Sequence, residues 1–196
     1  MTARQLLVAI YILLVVAAAS AAIAVVVVRR HAPRPVTPGM AAAAPAPPAQ
    51  PGRKIKAHLY YVSTDGTKLT AVDREVAYGD GAAQAEEIVN AQLAAAAPPL
   101  VSAIPPGTTL RAIYLNDKGE AYVDLSKEVS TMHTGGTLDE LLTVYTIVDA
   151  LTTNLPAINS VQLLVDGKEV ETLAGHIDLR QPLEQDLSLV EQPVKP

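Results

Sequence analysis

Residues 137–156 read T-L-D-E-L-L-T-V-Y-T-I-V-D-A-L-T-T-N-L-P, and this stretch decides the fold. Leu138, Leu141, Leu142, Tyr145 and Val148 recur at helical spacing. Val144, Ile147 and Leu151 widen the apolar surface beyond one stripe, which predicts a central helix rather than a peripheral one. Thr137 and Glu140 stand three residues apart at its start and predict a capping box. Asn154 and Pro156 stop the helix.

On both sides the period changes from helix to strand. Downstream, Ser160–Val165 reads as a strand, Asp166-Gly167 as a turn and Glu169–Leu173 as a partner strand. Upstream, Thr108–Leu115 alternates, turns at Asn116-Asp117-Lys118-Gly119 and returns as Glu120–Leu125, a hairpin. Before it, Asp80 can cap a helix over Gly81–Ala96. Its face of Ala85, Ile88, Val89, Leu93 and Ala96 is interrupted by Gln92, and Pro98-Pro99 ends it. Two strands precede that helix, over residues 57–63 and 69–76, joined by Thr64-Asp65-Gly66. The order is β-β-α-β-β-α-β-β. It predicts an α+β domain with two helices packed on a mixed β-sheet, preceded by one transmembrane helix.

That last element is the run Leu6–Val28, 23 residues without a charge. As a helix it would cross the ~30 Å hydrocarbon core of a bilayer. Ala17, Ala18 and Ala19 offer a signal-peptidase-like site, but the apolar run continues past it, which favours an uncleaved anchor. With no Cys in the chain, a lipid-modified N-terminal cysteine is excluded. Arg29, Arg30 and Arg34 follow the span and only Arg4 precedes it. Counted alone, they would hold the downstream flank in the cytoplasm. Residues 32–52 contain seven prolines and no acid and read as a semi-stiff spacer. The expected division is therefore an anchor with flanks over 1–31, a Pro/Ala-rich linker over 32–54, a domain over 55–183 and a flexible tail over 184–196.

The chain lacks Phe and Trp as well as Cys, so its core must be built from Leu, Ile, Val, Ala and Tyr. Tyr60, Tyr61, Tyr114, Tyr122 and Tyr145 are expected to supply the aromatic share. About 130 residues suffice for one domain that folds without disulfide or metal. Residues 55–196 hold all 20 acids against nine basic residues, a net of −11. Such a domain is repelled by phosphate backbones, which argues against nucleic acid as a partner. The membrane, through residues 6–28, is the partner the sequence states directly.

Chemistry is harder to find. No P-loop, dinucleotide fingerprint, G-x-S-x-G elbow or H-E-x-x-H occurs. His176 and Asp178 stand two apart in G-H-I-D-L, and with His133 or His58 they could hold a metal. The commoner role for such side chains in a loop is to satisfy backbone groups, and that is the reading taken here. Asp124 and Glu128 could form an acid/base pair, but D-L-S-K-E at a strand end is also ordinary turn chemistry. Ser126 and Ser102 have no evident base. No catalytic residue, metal or cofactor is assigned.

Five motifs in succession carry a family resemblance. They are L-Y-Y-V at 59–62, I-P-P-G-T at 104–108, V-D-L-S-x-E at 123–128, V-Y-T-I-V-D-A-L at 144–151 and G-H-I-D-L-x-x-P at 175–182. Together they resemble the GerMN domain, the sporulation and spore germination domain of bacterial envelope proteins, over about residues 55–183. The resemblance implies an extracytoplasmic, non-enzymatic α/β module that assembles with itself or with envelope partners. It places the domain outside the cytoplasm, against the arginine count. The family's usual lipoprotein cysteine is missing and a transmembrane anchor stands in its place. A single copy is present where sporulation members can carry two. The competing class is a cell-wall or metal-dependent hydrolase using His176 and nearby carboxylates.

Overall fold

The computed structural model describes residues 52–191. The anchor expected over 6–28, the spacer up to residue 51 and the last five residues lie outside them. Among the described residues no helix is long and apolar enough to cross a membrane.

The elements in order are β1 (Lys54–Val62), β2 (Leu69–Ala77), α1 (Ala82–Leu93), β3 (Leu110–Leu115), β4 (Glu120–Leu125), a one-turn α2 (Glu128–Thr131), α3 (Thr137–Asn154), β5 (Ser160–Val165), β6 (Lys168–Glu169) and β7 (Leu183–Glu184). A 3-10 turn follows at Leu187–Leu189. The fold is α+β with a mixed sheet: β4 and β5 are parallel, and every other named strand pair is antiparallel. The hairpin β3–β4 depends on Gly119, at φ +81°. A Cβ there would stand 2.7 Å from the Ala157 carbonyl oxygen, so only glycine closes the turn.

Three expectations are corrected. The first concerns the sheet, which is not one but two. Among the named strands β1 and β2 pair only with each other, while β3, β4, β5, β6 and β7 form the second sheet. The outer edge of β1 is closed by side-chain amides. Gln92 of α1 accepts from the Tyr60 N–H at 2.8 Å and donates to the Tyr60 carbonyl at 2.7 Å. Asn154 of α3 does the same for His58. At His58 and Tyr60 the two amides take the place of a neighbouring strand. Gln92, which interrupts the apolar face of α1, is thus fully buried for a reason.

The second correction is at the termini of elements. Helix α1 ends at Leu93, short of Ala96, and Asp80 does not cap it: its carboxylate instead accepts from the Tyr78 hydroxyl. The partner strand expected over Glu169–Leu173 is only Lys168–Glu169. The short helix α2 falls where turn chemistry was expected.

The third concerns the tail expected from residue 184. Its first eight residues are tied to the domain at both ends. Leu183 and Glu184 pair with β5, Val190 bridges Leu69, and the Glu191 N–H donates to the Leu69 carbonyl at 2.8 Å. Val190 is among the buried hydrophobics. This segment straps the five-stranded sheet to the hairpin.

The core is built as its composition demands. Leu59, Leu69, Ile88, Leu125, Leu142, Ile147, Leu151, Leu163 and Leu179 are its largest buried aliphatics. Helix α3 packs on both β1 and β5, which is the central position its wide apolar surface predicts. Tyr60 and Tyr61 are buried and Tyr145 packs against the core, but Tyr114 is 60% exposed and does not belong to it.

Candidate functional site

Glu140 is the polar centre of the molecule. It sits in the first turn of α3, and no part of it reaches solvent. It makes no capping box. Thr137 is already helical, and Gly136, the capping position, has no side chain to offer. The carboxylate turns instead to the loop after β6. Its Oε1 accepts from the Leu173 N–H at 2.8 Å, and its Oε2 accepts from the His176 N–H at 2.8 Å and faces His176 Nδ1 at 3.1 Å. Residues 170–182 lack a ladder of their own, and two of their backbone donors, at Leu173 and His176, turn to this buried acceptor. Burial pushes the carboxyl upward, but backbone bonds from Ala174, Leu173 and His176 and the His176 ring prevail and hold it below its ordinary value.

His176 therefore contributes a ring and a backbone N–H to the same carboxylate. A carboxylate on Nδ1 is the orienting half of a catalytic triad. No hydrogen bond of Nε2 is found among the described residues, and His176 does not line the cleft described below. With the ring about 38% exposed, the backbone bond carries most of the connection. His176→Ala is expected to lower stability by only about 0.5–1.5 kcal/mol in denaturant unfolding.

The other candidates are dispersed. Asp178 binds the Arg180 N–H and guanidinium, which hold its carboxyl down at about 2. His58 pairs with Asp73 at 2.7 Å, and His133 bonds Thr143 and Gly135. The metal set of His176, Asp178 and His133 or His58 is thus not assembled. Among the described residues no group of three acids or histidines could hold a metal. Asp124 accepts from the Gly167 N–H at 2.7 Å and lies 3.6 Å from Arg111, which also grips Asp166 at 2.6 Å. Arg111 is the residue skipped at the irregularity in β3, and the bulge aims it at the β5–β6 turn. Glu128 is held low chiefly by Ser126, and no hydrogen bond joins it to Asp124. Ser126 accepts from the Thr109 N–H and Ser102 from the Ile104 N–H. These groups brace loops.

Two features escaped the sequence. Asp149 of α3 is fully buried. Its Oδ1 accepts from the Asp186 N–H at 3.0 Å, while its Oδ2 has no partner. Burial, and then the nearby Asp186 charge, raise its carboxyl to about 6 against the pull of that one bond. An aspartate inside an apolar helical run was the available signal. The second feature is a cleft of about 340 Å³ between the loop before β3, the loop before α3, and the β1 end. Its lining includes Val101, Ile104, Pro105, Met132, Asp139 and Leu142. The I-P-P-G-T motif forms one wall.

Comparison with known proteins follows the same outline. The model of a family described as Germane, sporulation and spore germination, matches residues 58–171. The tandem GerMN domains of the sporulation protein GerM from Bacillus subtilis are similar with a TM-score of 0.50 at 20% identity, over 69% of this chain and 46% of that one. The first of those domains alone gives 0.49 at 19% identity, over 67% and 96%. A candidate lipoprotein from Clostridium perfringens gives 0.49 at 22% identity, over 67% and 87%. At 20% identity the likeness to the tandem GerMN domains speaks for the fold alone. No curated protein matches the chain.

Proposed function

We propose, from the premise that this chain belongs to the sporulation and spore germination family, that it is a non-enzymatic, extracytoplasmic module of a bacterial envelope. In this reading residues 6–28 anchor it in the cytoplasmic membrane, the Pro-rich linker spaces it from the bilayer, and the domain serves as a protein-interaction or assembly scaffold. One observation carries the non-enzymatic part. The buried Glu140, paired with the partly exposed His176, spends its carboxylate on three backbone and ring donors of a single loop. In this reading the pair holds a loop, since the histidine would be the base of such a pair and, among the described residues, no hydroxyl is hydrogen-bonded to its Nε2.

A reporter active only outside the cytoplasm, fused after Pro196, should be active. A silent reporter beside an active cytoplasmic one overturns the topology. In-cell crosslinking of the anchored protein should give a discrete protein complex. Crosslinking that yields only the free chain overturns the scaffold reading. So does turnover by the purified protein that vanishes in His176→Ala.

A further inference from the structure

We propose that the cleft beside the N-terminus of α3 docks an extended segment of a partner protein in which an aliphatic side chain stands next to a lysine or arginine. The proposal rests on the interaction reading above and gives it a surface.

The cleft's floor is aliphatic, with Ile104 buried on one side and Leu142 on the other. At its mouth stand Val101, 59% exposed, and Met132, 53% exposed. Leu138, beside Asp139 in sequence, is also exposed. Val101 and Met132 are two of the six large hydrophobics exposed among the described residues, and both line this one cleft. Single exposed apolar side chains need no explanation, but two of them at the mouth of an aliphatic concavity do. Something aliphatic that enters would remove them from water, at roughly 25 cal/mol per Å² of apolar surface. A volume of 340 Å³ is near the lower end for binding sites, so it suits a short segment rather than a folded surface.

The charge is specified too. Asp139 lines the cleft and faces solvent. Among the described residues it takes part in no ion pair, and its side chain receives only a long 3.5 Å bond from the Thr134 hydroxyl. Residues 52–191 hold 20 acids against ten basic residues, so the surrounding field is negative. That field attracts a cationic segment and repels an anionic lipid headgroup.

The walls are set before anything binds. Thr143 Oγ1 lies 2.7 Å from the Ala103 carbonyl and 2.8 Å from that of Asp139, and its proton goes to one of them. His133 Nδ1 accepts from the Gly135 N–H, so Nε2 carries the ring proton and donates to Thr143 at 3.1 Å. The chain joins the loop before β3, the loop before α3 and α3 itself. A preformed cleft gives up little conformational freedom on binding.

The test uses the full-length protein in lipid nanodiscs and a fluorescein-labelled peptide, Gly-Ala-Leu-Lys-Ala-Gly, blocked at both ends. Two control peptides carry Ser for Leu or Glu for Lys. The leucine–lysine peptide should bind, and each control should bind about ten-fold more weakly or not at all. Asp139→Asn should erase the preference for Lys over Glu. Met132→Ser and Val101→Ser should each weaken binding while the melting temperature holds, because both side chains are exposed. Equal binding of the Lys and Glu peptides, unchanged binding by the variants, or no binding at millimolar peptide overturns the proposal. If no peptide binds but the in-cell complex persists in Met132→Ser and Asp139→Asn, the cleft is the wrong surface and the scaffold reading stands. If no complex forms at all, the scaffold reading itself falls.

Discussion

Glu140→Ala is expected to lower the unfolding free energy by about 3–5 kcal/mol, as when one partner of a buried charged network is removed. The side chain is wholly inside the protein and serves two backbone N–H groups and one ring. Removing it strands the buried Leu173 N–H and the half-buried His176 N–H, and a stranded buried donor costs about 1–3 kcal/mol. Glu140→Gln should cost less, because one acceptor oxygen remains while the new amide meets the His176 donors head-on. The pH dependence has a definite sign. The folded carboxyl is held below its ordinary 4.5. Its stabilisation is therefore fully present above pH 4.5 and is lost as pH falls below that value. Urea midpoints of the wild type and Glu140→Ala should converge in acid. A loss under 1 kcal/mol at pH 7, or a gap that widens in acid, contradicts this account of the loop.

Asp149→Asn is expected to act the other way and stabilise the protein at pH 8 by about 1–3 kcal/mol. The folded carboxyl sits at about 6 against an ordinary 3.8. A raised carboxyl favours folding most when it is protonated. Stability from this group is thus full below pH 3.8, declines as pH rises toward 6, and stays low above it. A gap of that size corresponds to about 3 kcal/mol at most, at 1.36 kcal/mol per pH unit. Asparagine keeps an oxygen for the Asp186 N–H and removes the charge, but its amide hydrogens find no acceptor at the position of the orphan Oδ2. The gain falls short of the maximum for that reason. The comparison is made by urea unfolding of both proteins from pH 4 to pH 8, since the difference cancels other titrating groups. An advantage for Asn that is as large at pH 4 as at pH 8 would show that shape rather than charge is responsible.

Both residues show where sequence reading reached its limit. Glu140 stands three residues after Thr137, and that local spacing matches a capping box. The actual acceptor role depends on a loop more than 30 residues away, which no local window contains. Asp149 sits in V-Y-T-I-V-D-A-L, whose period predicts a helix. That both faces of this turn would be covered, one by the strap at 183–191, depends on where the chain returns. The same holds for the amides of Gln92 and Asn154. A polar residue on an apolar face reads as an interruption until the strand edge it closes is in view.

What the sequence determined by itself is what short-range physics controls. The 3.6-residue period marked α3 to its last residue, and the period of two with a glycine turn marked β4 and β5 to both ends. The motif order identified the family. The absence of Cys, Phe and Trp determined the material of the core. The tertiary structure alone decided how those pieces share partners. It split the predicted sheet in two, because side-chain amides occupy the edge of β1. It packed the C-terminal strap, because Val190 and the β7 ladder bury what a list of polar and proline residues reads as loose. It gathered Val101, Met132 and Asp139 around one cleft from three separate segments. Hydrogen-bond satisfaction and burial are settled between segments distant in sequence, and only the folded chain brings those segments together.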